Sequence, residues 1–326
     1  MLRIYNKSYR ILRHKTHRGL TQLTRGTRRL TRPFNTNKKN RRSKYMDIAD
    51  YPTEFPYKVI AADAALVDYN KLRTRTFINN MSRIGNTATD RFTFKPRMNT
   101  EIRGTTHLKC FQEHKEKLFK CMVSLKYKKI TNAAVLASIR MRIGSVNQFR
   151  PAYAKFIYKK YNSKKVLDIS AGWGGRMLGA MACGIDYTGF DTNLNLVEPY
   201  KQILAAYPHE GTCKLASVDS RTVDYSTYDY DTVFTSPPYF MLEKYEHMPT
   251  YTSKADFNEK YWKPVVMASW GNLKAGGHYI INCPAEMGAT AAEYIGRAAD
   301  EVIPYYISSR VKDGKRRYEN VYVWKK

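Results

Sequence analysis

Beyond about residue 145 the chain alternates short β-branched or aromatic runs with longer stretches whose apolar positions recur at helical spacing. Strands are predicted at 165–170, 187–191, 212–216, 230–235 and 278–283, and helices at 175–183, 194–207, 256–273 and 287–299. Two further strand-like runs, 304–309 and 317–324, flank Lys312-Asp313-Gly314-Lys315, a turn that predicts a closing hairpin. Strand alternating with helix implies a parallel sheet covered on both faces. The expected fold is therefore α/β: a Rossmann-like, doubly wound, mostly parallel seven-stranded sheet ending in an antiparallel hairpin strand.

The stretch 47–144 reads differently. Thr105 or Thr106 caps a predicted helix with Leu108, Phe111, Leu118, Met122 and Leu125 at helical spacing, and a second runs over 131–142 to Gly144. The division expected is a basic arm at 1–46, a mainly helical accessory region at 47–144 suited to nucleic-acid recognition, and an α/β domain at 145–326. His107, Cys110, His114 and Cys121 match no compact zinc spacing, so no metal is expected.

Charge changes the partner odds. The 326 residues carry 56 Lys and Arg against 28 Asp and Glu, a net +28, which favours a polyanionic partner. Residues 1–46 hold 15 of those basic residues and no acidic one. A phosphate-binding arm, a mitochondrial targeting segment (Leu2, Tyr5, Tyr9 and Leu12 share one helical face) and a plain solubilising extension all fit this block. Five scattered cysteines without a Cys-x-x-Cys pair point to a reducing, intracellular compartment: cytoplasm, nucleoid or virus-infected cell, or a mitochondrion if the arm is a targeting segment. No apolar run reaches the roughly 18–20 residues of a membrane span.

The chemistry gathers at predicted strand ends. The first strand runs into Asp168-Ile169-Ser170-Ala171-Gly172-Trp173-Gly174-Gly175-Arg176, a glycine turn that brings backbone amides close to a ligand. The second ends in Asp191, 23 residues on, where an adenine nucleotide's ribose hydroxyls are held in such sheets. The third leads to Asp219 and the fourth to Ser236-Pro237-Pro238-Tyr239-Phe240. Two prolines free carbonyl oxygens from any ladder, and a fixed hydroxyl, carbonyl and aromatic ring suit a flat base bearing an amino group.

This order of motifs over residues 145–326 resembles the S-adenosylmethionine-dependent amino-group DNA methyltransferases, which act on cytosine-N4 or adenine-N6. The resemblance lies in Asp168–Arg176, Asp191 and Ser236–Tyr239, with the glycine loop preceding the Ser-Pro-Pro-Tyr motif. Asn147-Gln148-Phe149-Arg150-Pro151 looks like the family's additional cofactor motif. The resemblance implies S-adenosylmethionine as cofactor, bound by Phe149, Arg150, Pro151, Asp168, Ser170, Ala171, Gly172, Gly174, Asp191, Asp219 and Ser236. It implies catalysis by Ser236, Pro237, Pro238 and Tyr239, through direct in-line transfer to an amine on a flipped-out or single-stranded base. A serine before Pro-Pro-Tyr is commoner in the cytosine-N4 group, which is favoured slightly. The family's usual aromatic residue after the aspartate is replaced by Ile169-Ser170, with Trp173 nearby. Carbon-5 chemistry needs a cysteine after a proline, and Cys283-Pro284 stands in the reverse order.

Nucleic acid is the expected partner, DNA ahead of RNA, and the sequence leaves oligomeric state or a specificity subunit open. Candidate nucleic-acid contacts are Phe240, with Lys244, Tyr245 and Tyr251 of the 241–254 insert, and Lys315, Arg316 and Arg317 at the hairpin tip. RNA base methylation and a non-catalytic nucleic-acid-binding role remain the alternatives.

Overall fold

A computed structural model describes residues 46–76, 81–240, 243–244, 249–312 and 315–326, without the side chains of 243–244, 308–312 and 315–316. The acid-free arm lies outside the described residues except for Met46. Among the described residues six α-helices precede the main sheet: α1 (Ala62–Thr74), α2 (Asn86–Met98), α3 (His107–Glu113), α4 (Lys115–Ser124), α5 (Asn132–Ile143) and α6 (Pro151–Lys160). A two-residue strand, β1 (Glu101–Ile102), follows α2. Thr106 Oγ1 accepts from Lys109 N at 3.0 Å and Thr131 Oγ1 from Ala134 N at 3.2 Å, so both threonines act as N-caps. The single helix expected from Thr105 or Thr106 is broken at His114, whose φ of −126° leaves the helical region. The break lets Phe111 stack on Tyr51 at 5.2 Å while Leu118 and Met122 remain fully buried.

The main sheet begins with β2 (Lys165–Asp168), followed by α7 (Gly175–Met181), β3 (Asp186–Asp191), α8 (Val197–Ala206), β4 (Cys213–Ser217) and β5 (Thr232–Thr235). The pair β6 (Glu243–Lys244) joins β1 in a small antiparallel ladder. Then come α9 (Lys254–Phe257), α10 (Lys263–Gly271), β7 (His278–Cys283), α11 (Ala285–Ile295), β8 (Glu301–Lys312) and β9 (Lys315–Lys325). The helix predicted over 256–273 contains a π-turn at Asn258–Trp262. Pro264 has no N–H to give to the preceding turn, and the wider turn just upstream accommodates it.

The seven strands lie in the order β4-β3-β2-β5-β7-β9-β8, parallel except for the terminal hairpin. The last strand is inserted between β7 and β8 rather than added at the edge. Its side chains explain the choice, since Val321, Val323 and Trp324 are almost fully buried and require neighbours on both sides. Alternation then distributes successive residues to two cores. Val166, Phe234 and Ile280 face the accessory helices, whereas Leu167, Val233, Tyr279 and Ile281 face α9–α11. Residues from Tyr51 to Ile143 share the first core with the sheet. Among the described residues no helix is long and apolar enough to cross a membrane.

Candidate active site

Strand order reverses between β2 and β5, so the crevice beyond their carboxyl ends is where an open α/β sheet takes a ligand. A cleft of about 770 Å³ occupies that place, within the size range of small-molecule sites. Sheet loops, the accessory helices and the strap 144–150 all line it.

The glycine loop is held from beneath. Gly174 caps α7 at φ +76°, in the left-handed region that side chains disfavour. A Cβ on Gly175 would lie 1.9 Å from the Phe149 carbonyl oxygen, so glycine alone lets the strap rest on the start of α7. Asp168 is fully buried under this loop. Its Oδ2 accepts from Arg176 Nε at 2.6 Å and from the Tyr187 hydroxyl at 2.6 Å, and its Oδ1 accepts from Ser170 N at 3.2 Å. Burial alone would lower the Arg176 pKa, but Asp168 more than offsets this and holds it above its ordinary value. Arg176 also donates to the Ser170 carbonyl and carries its guanidinium 5.2 Å from the Phe149 ring centroid.

Two acidic residues mark the next strand ends. Asp191 Oδ2 accepts from Gly172 N at 2.7 Å and Oδ1 from Asn193 N at 2.9 Å, leaving further lone pairs toward the cleft. Burial pushes its carboxyl above the usual aspartate range, against the pull of those two amides. Asp219 is half-buried and paired with Arg221, whose Nη2 stands 2.6 Å from Oδ2. Its burial raises the pKa, and the Arg221 hydrogen bonds outweigh that to leave it lowered. The hydroxyl of Tyr251, also on the cleft wall, is buried without a partner among the described residues.

Ser170 joins these elements to the proline loop. Its Oγ lies 2.7 Å from Thr235 Oγ1 and donates to the Ser236 carbonyl at 3.0 Å. Ser236, Pro237, Pro238 and Tyr239 all line the cleft beyond that bond. The Tyr239 hydroxyl donates to Glu319 Oε2 at 3.3 Å, and burial holds it well above the ordinary tyrosine range. Glu319 comes from β9, opposite Tyr305. Burial raises its pKa, while hydrogen bonds from Tyr239 and Asn282 pull the other way.

The residues expected at the site divide into two groups. Phe149, Arg150, Ser170, Ala171, Gly172, Asp191, Asp219 and Ser236 line the one cleft with Pro237, Pro238 and Tyr239. Others expected there hold it from outside: Asp168 lies beneath the loop, Gly174 packs toward Ile203, and Pro151 is the buried first residue of α6. Arg150 lines the cleft but gives its guanidinium to Tyr305 Oη at 3.1 Å and the Tyr306 carbonyl at 2.7 Å.

The expected nucleic-acid contacts fare differently. Phe240 packs on Phe257 at 6.0 Å, away from the cleft, because its ring extends the apolar core around α9. Tyr251 is 7% exposed in a cluster with Phe257 and Tyr261, too buried to serve as an open stacking platform. Arg317 is exposed outside the cleft. Tyr245 and the side chains of Lys244, Lys315 and Arg316 lie outside the described residues. Sequence reasoning missed Glu319 and Asn282, both on the cleft wall. A carboxylate inside the strand-like run 317–324 was the available signal for the first.

No family model matches the chain, and no curated protein matches it. Solved structures do. TrmN from Thermus thermophilus is 14% identical, over 55% of this chain and 49% of its own, with a TM-score of 0.37. The T. thermophilus 16S rRNA N2 G1207 methyltransferase RsmC, solved with AdoMet and guanosine, is 15% identical over 56% of this chain and 44% of its own, at 0.37. NSun6 from Pyrococcus horikoshii is 12% identical over 54% and 51%, at 0.40. The chain thus spans about half the length of these three structures.

Proposed function

We propose that this chain is an S-adenosylmethionine-dependent methyltransferase acting on the exocyclic amino group of a DNA base, cytosine-N4 ahead of adenine-N6. The observation that carries this reading is the Ser170 side chain, which ties the glycine loop to Thr235 and Ser236 at the sheet's switch point. A nucleoside site and an amine-orienting loop then share one cleft. The residues fit such a cofactor: Asp191 keeps acceptor capacity for a ribose diol, and Gly175 leaves no Cβ between the strap and α7. Asp219 and Tyr251 line the same cleft.

When bound, S-adenosylmethionine supplies an electrophilic methyl group carried on a sulfonium. The chain's own residues orient and deprotonate. Ser236 Oγ and the Pro237 carbonyl accept the amine's hydrogens, which turns its lone pair toward the glycine loop. Tyr239 stacks on the base, and its hydroxyl bond to Glu319 fixes the ring. Glu319 accepts the proton that the amine must lose after transfer.

Glu319→Gln is expected to lower kcat by about 10²-fold with little change in KM for the cofactor. Since burial raises the Glu319 pKa, the wild-type rate should climb with pH through an acid limb that the variant lacks. The sign for folding is opposite. The ionised form burdens the native state above that raised pKa, and the burden disappears as pH falls below the ordinary glutamate range. Glu319→Gln should therefore unfold at a slightly higher temperature at pH 8, read by thermal melts.

Mass spectrometry of nucleosides from cells producing the chain tests the reaction itself. N4-methylcytosine or N6-methyladenine in DNA, absent with Ser236→Ala/Tyr239→Ala, is the expected result. Methylated RNA nucleosides alone would overturn the DNA assignment. No methylated nucleoside of either kind would overturn the enzyme and leave a binding protein.

A further inference from the structure

The accessory helices contribute a second set of polar residues to the same cleft. Asn86 and Arg97 from α2 and His107 from α3 line it together with the strap 144–150. Each helps to pin that strap. His107 Nε2 donates to the Gly144 carbonyl at 3.1 Å, and Arg97 Nη1 donates to the Val146 carbonyl at 3.4 Å. The Gln148 side chain donates to the Asn86 carbonyl at 3.2 Å and accepts from Thr89 Oγ1 at 2.6 Å.

These contacts use only part of the hydrogen-bonding capacity. Arg97 Nε, His107 Nδ1 and Asn86 Oδ1 are buried without a partner among the described residues. Arg97 is 6% exposed and His107 1%. Native proteins rarely leave buried polar atoms unpaired, because desolvation is then uncompensated. The three residues that carry these atoms all line one cleft, the place from which a ligand would complete them. Their chemistry is mixed. Arg97 Nε–H is a donor and Asn86 Oδ1 an acceptor. His107 has committed its Nε2–H to a carbonyl, so Nδ1 accepts in the neutral ring. Burial, with Arg140 and Arg97 nearby, lowers the His107 pKa and keeps that ring neutral.

Around this trio stands a cationic rim. Arg83, Arg103 and Arg140 line the same cleft, and none pairs with a carboxylate among the described residues. Asp90, the nearby acid, is already committed to Arg97 and Lys58. A free phosphate would satisfy the rim and leave both buried acceptors unmet. An apolar ligand would satisfy neither. The complement is a group with N–H and C=O on one planar edge, joined to phosphates: a nucleotide.

We infer that this part of the cleft lining holds a second nucleotide of the substrate strand, its base edge on Arg97, His107 and Asn86 and its phosphates on Arg83, Arg103 and Arg140. The inference rests on the nucleic-acid reading of the active site and assigns sequence reading to the accessory helices. The strap that carries Gly144, Val146 and Gln148 continues into Phe149 and Arg150, so the nucleotide site and cofactor site are built on one segment.

Fluorescence anisotropy with the full chain tests this, using a 12-nucleotide single strand of mixed sequence and an abasic strand of the same length. Arg83→Gln/Arg140→Gln is expected to lower the slope of log K against log salt by about 1.4, the value for two single-strand phosphate contacts. Lys201→Gln/Lys214→Gln removes the same charge from exposed positions outside the cleft and is expected to leave the slope unchanged. Asn86→Ala is expected to narrow the preference for the mixed strand over the abasic one at least threefold. Equal slopes for the two double variants, or an unaltered base preference in Asn86→Ala, overturn the second nucleotide site. Methylated nucleosides in wild-type cells together with either result leave the methyltransferase reading intact. No binding of either strand by the wild type overturns the site and the nucleic-acid reading together.

Discussion

Tyr239→Ala is expected to lower single-turnover methyl transfer by two orders of magnitude or more, with the fold intact. The ring is half-buried at the cleft wall and packs on the edge of the second core, so its loss removes the surface that sets the base plane together with a partial core contact. Misplacing a reacting group by about 1 Å already costs about 10²-fold. Tyr239→Phe keeps that surface and loses the hydroxyl's bonds to Glu319, the Asn282 carbonyl and the Ser236 side chain. Its rate should fall less, and its salt-sensitive strand binding should match the wild type. Equal activity in Tyr239→Ala and the wild type would remove the Ser-Pro-Pro-Tyr loop from the reaction.

The second large effect is on stability. Arg176→Leu leaves Asp168 charged, fully buried and without its cation, with the Tyr187 hydroxyl and Ser170 amide as remaining partners. Breaking a buried pair in this way costs about 3–5 kcal/mol, a large part of the roughly 5–15 kcal/mol that folds a domain. A fall in Tm of roughly 10 °C is expected in calorimetry. Asp168→Asn/Arg176→Leu should recover much of that loss, because neither partner is then a stranded charge. A double variant no more stable than the single one would show that Arg176 acts through packing on Phe149 instead.

The strands that form the site were legible because their local pattern agrees with their tertiary setting. β7 is buried along nearly its whole length and is apolar at Tyr279–Ile281, and its predicted bounds coincide with those observed. Ser170, Asp191, Asp219 and Ser236 could be placed together because strand ends in a parallel sheet share one edge. Asp168 was misplaced by the same logic. A strand-end carboxylate and a carboxylate one pleat below the loop look alike until Arg176 and Tyr187 are seen folding onto it. Phe240 and Tyr251 were misread for a related reason, since an aromatic residue has the same signature in a core cluster as on an open surface.

The sequence by itself determined the α/β class, the order of strand ends and the residue types at the sheet's carboxyl edge. Hydrophobic period and glycine or proline placement are local properties, and each acts within a few residues. Only the tertiary structure decided that β9 enters between β7 and β8, bringing Glu319 against Tyr239 from 80 residues away. It alone brought Asn86, Arg97 and His107 into the same cleft as the glycine loop. Such juxtapositions are set by which buried faces must be covered, a condition the whole chain satisfies at once.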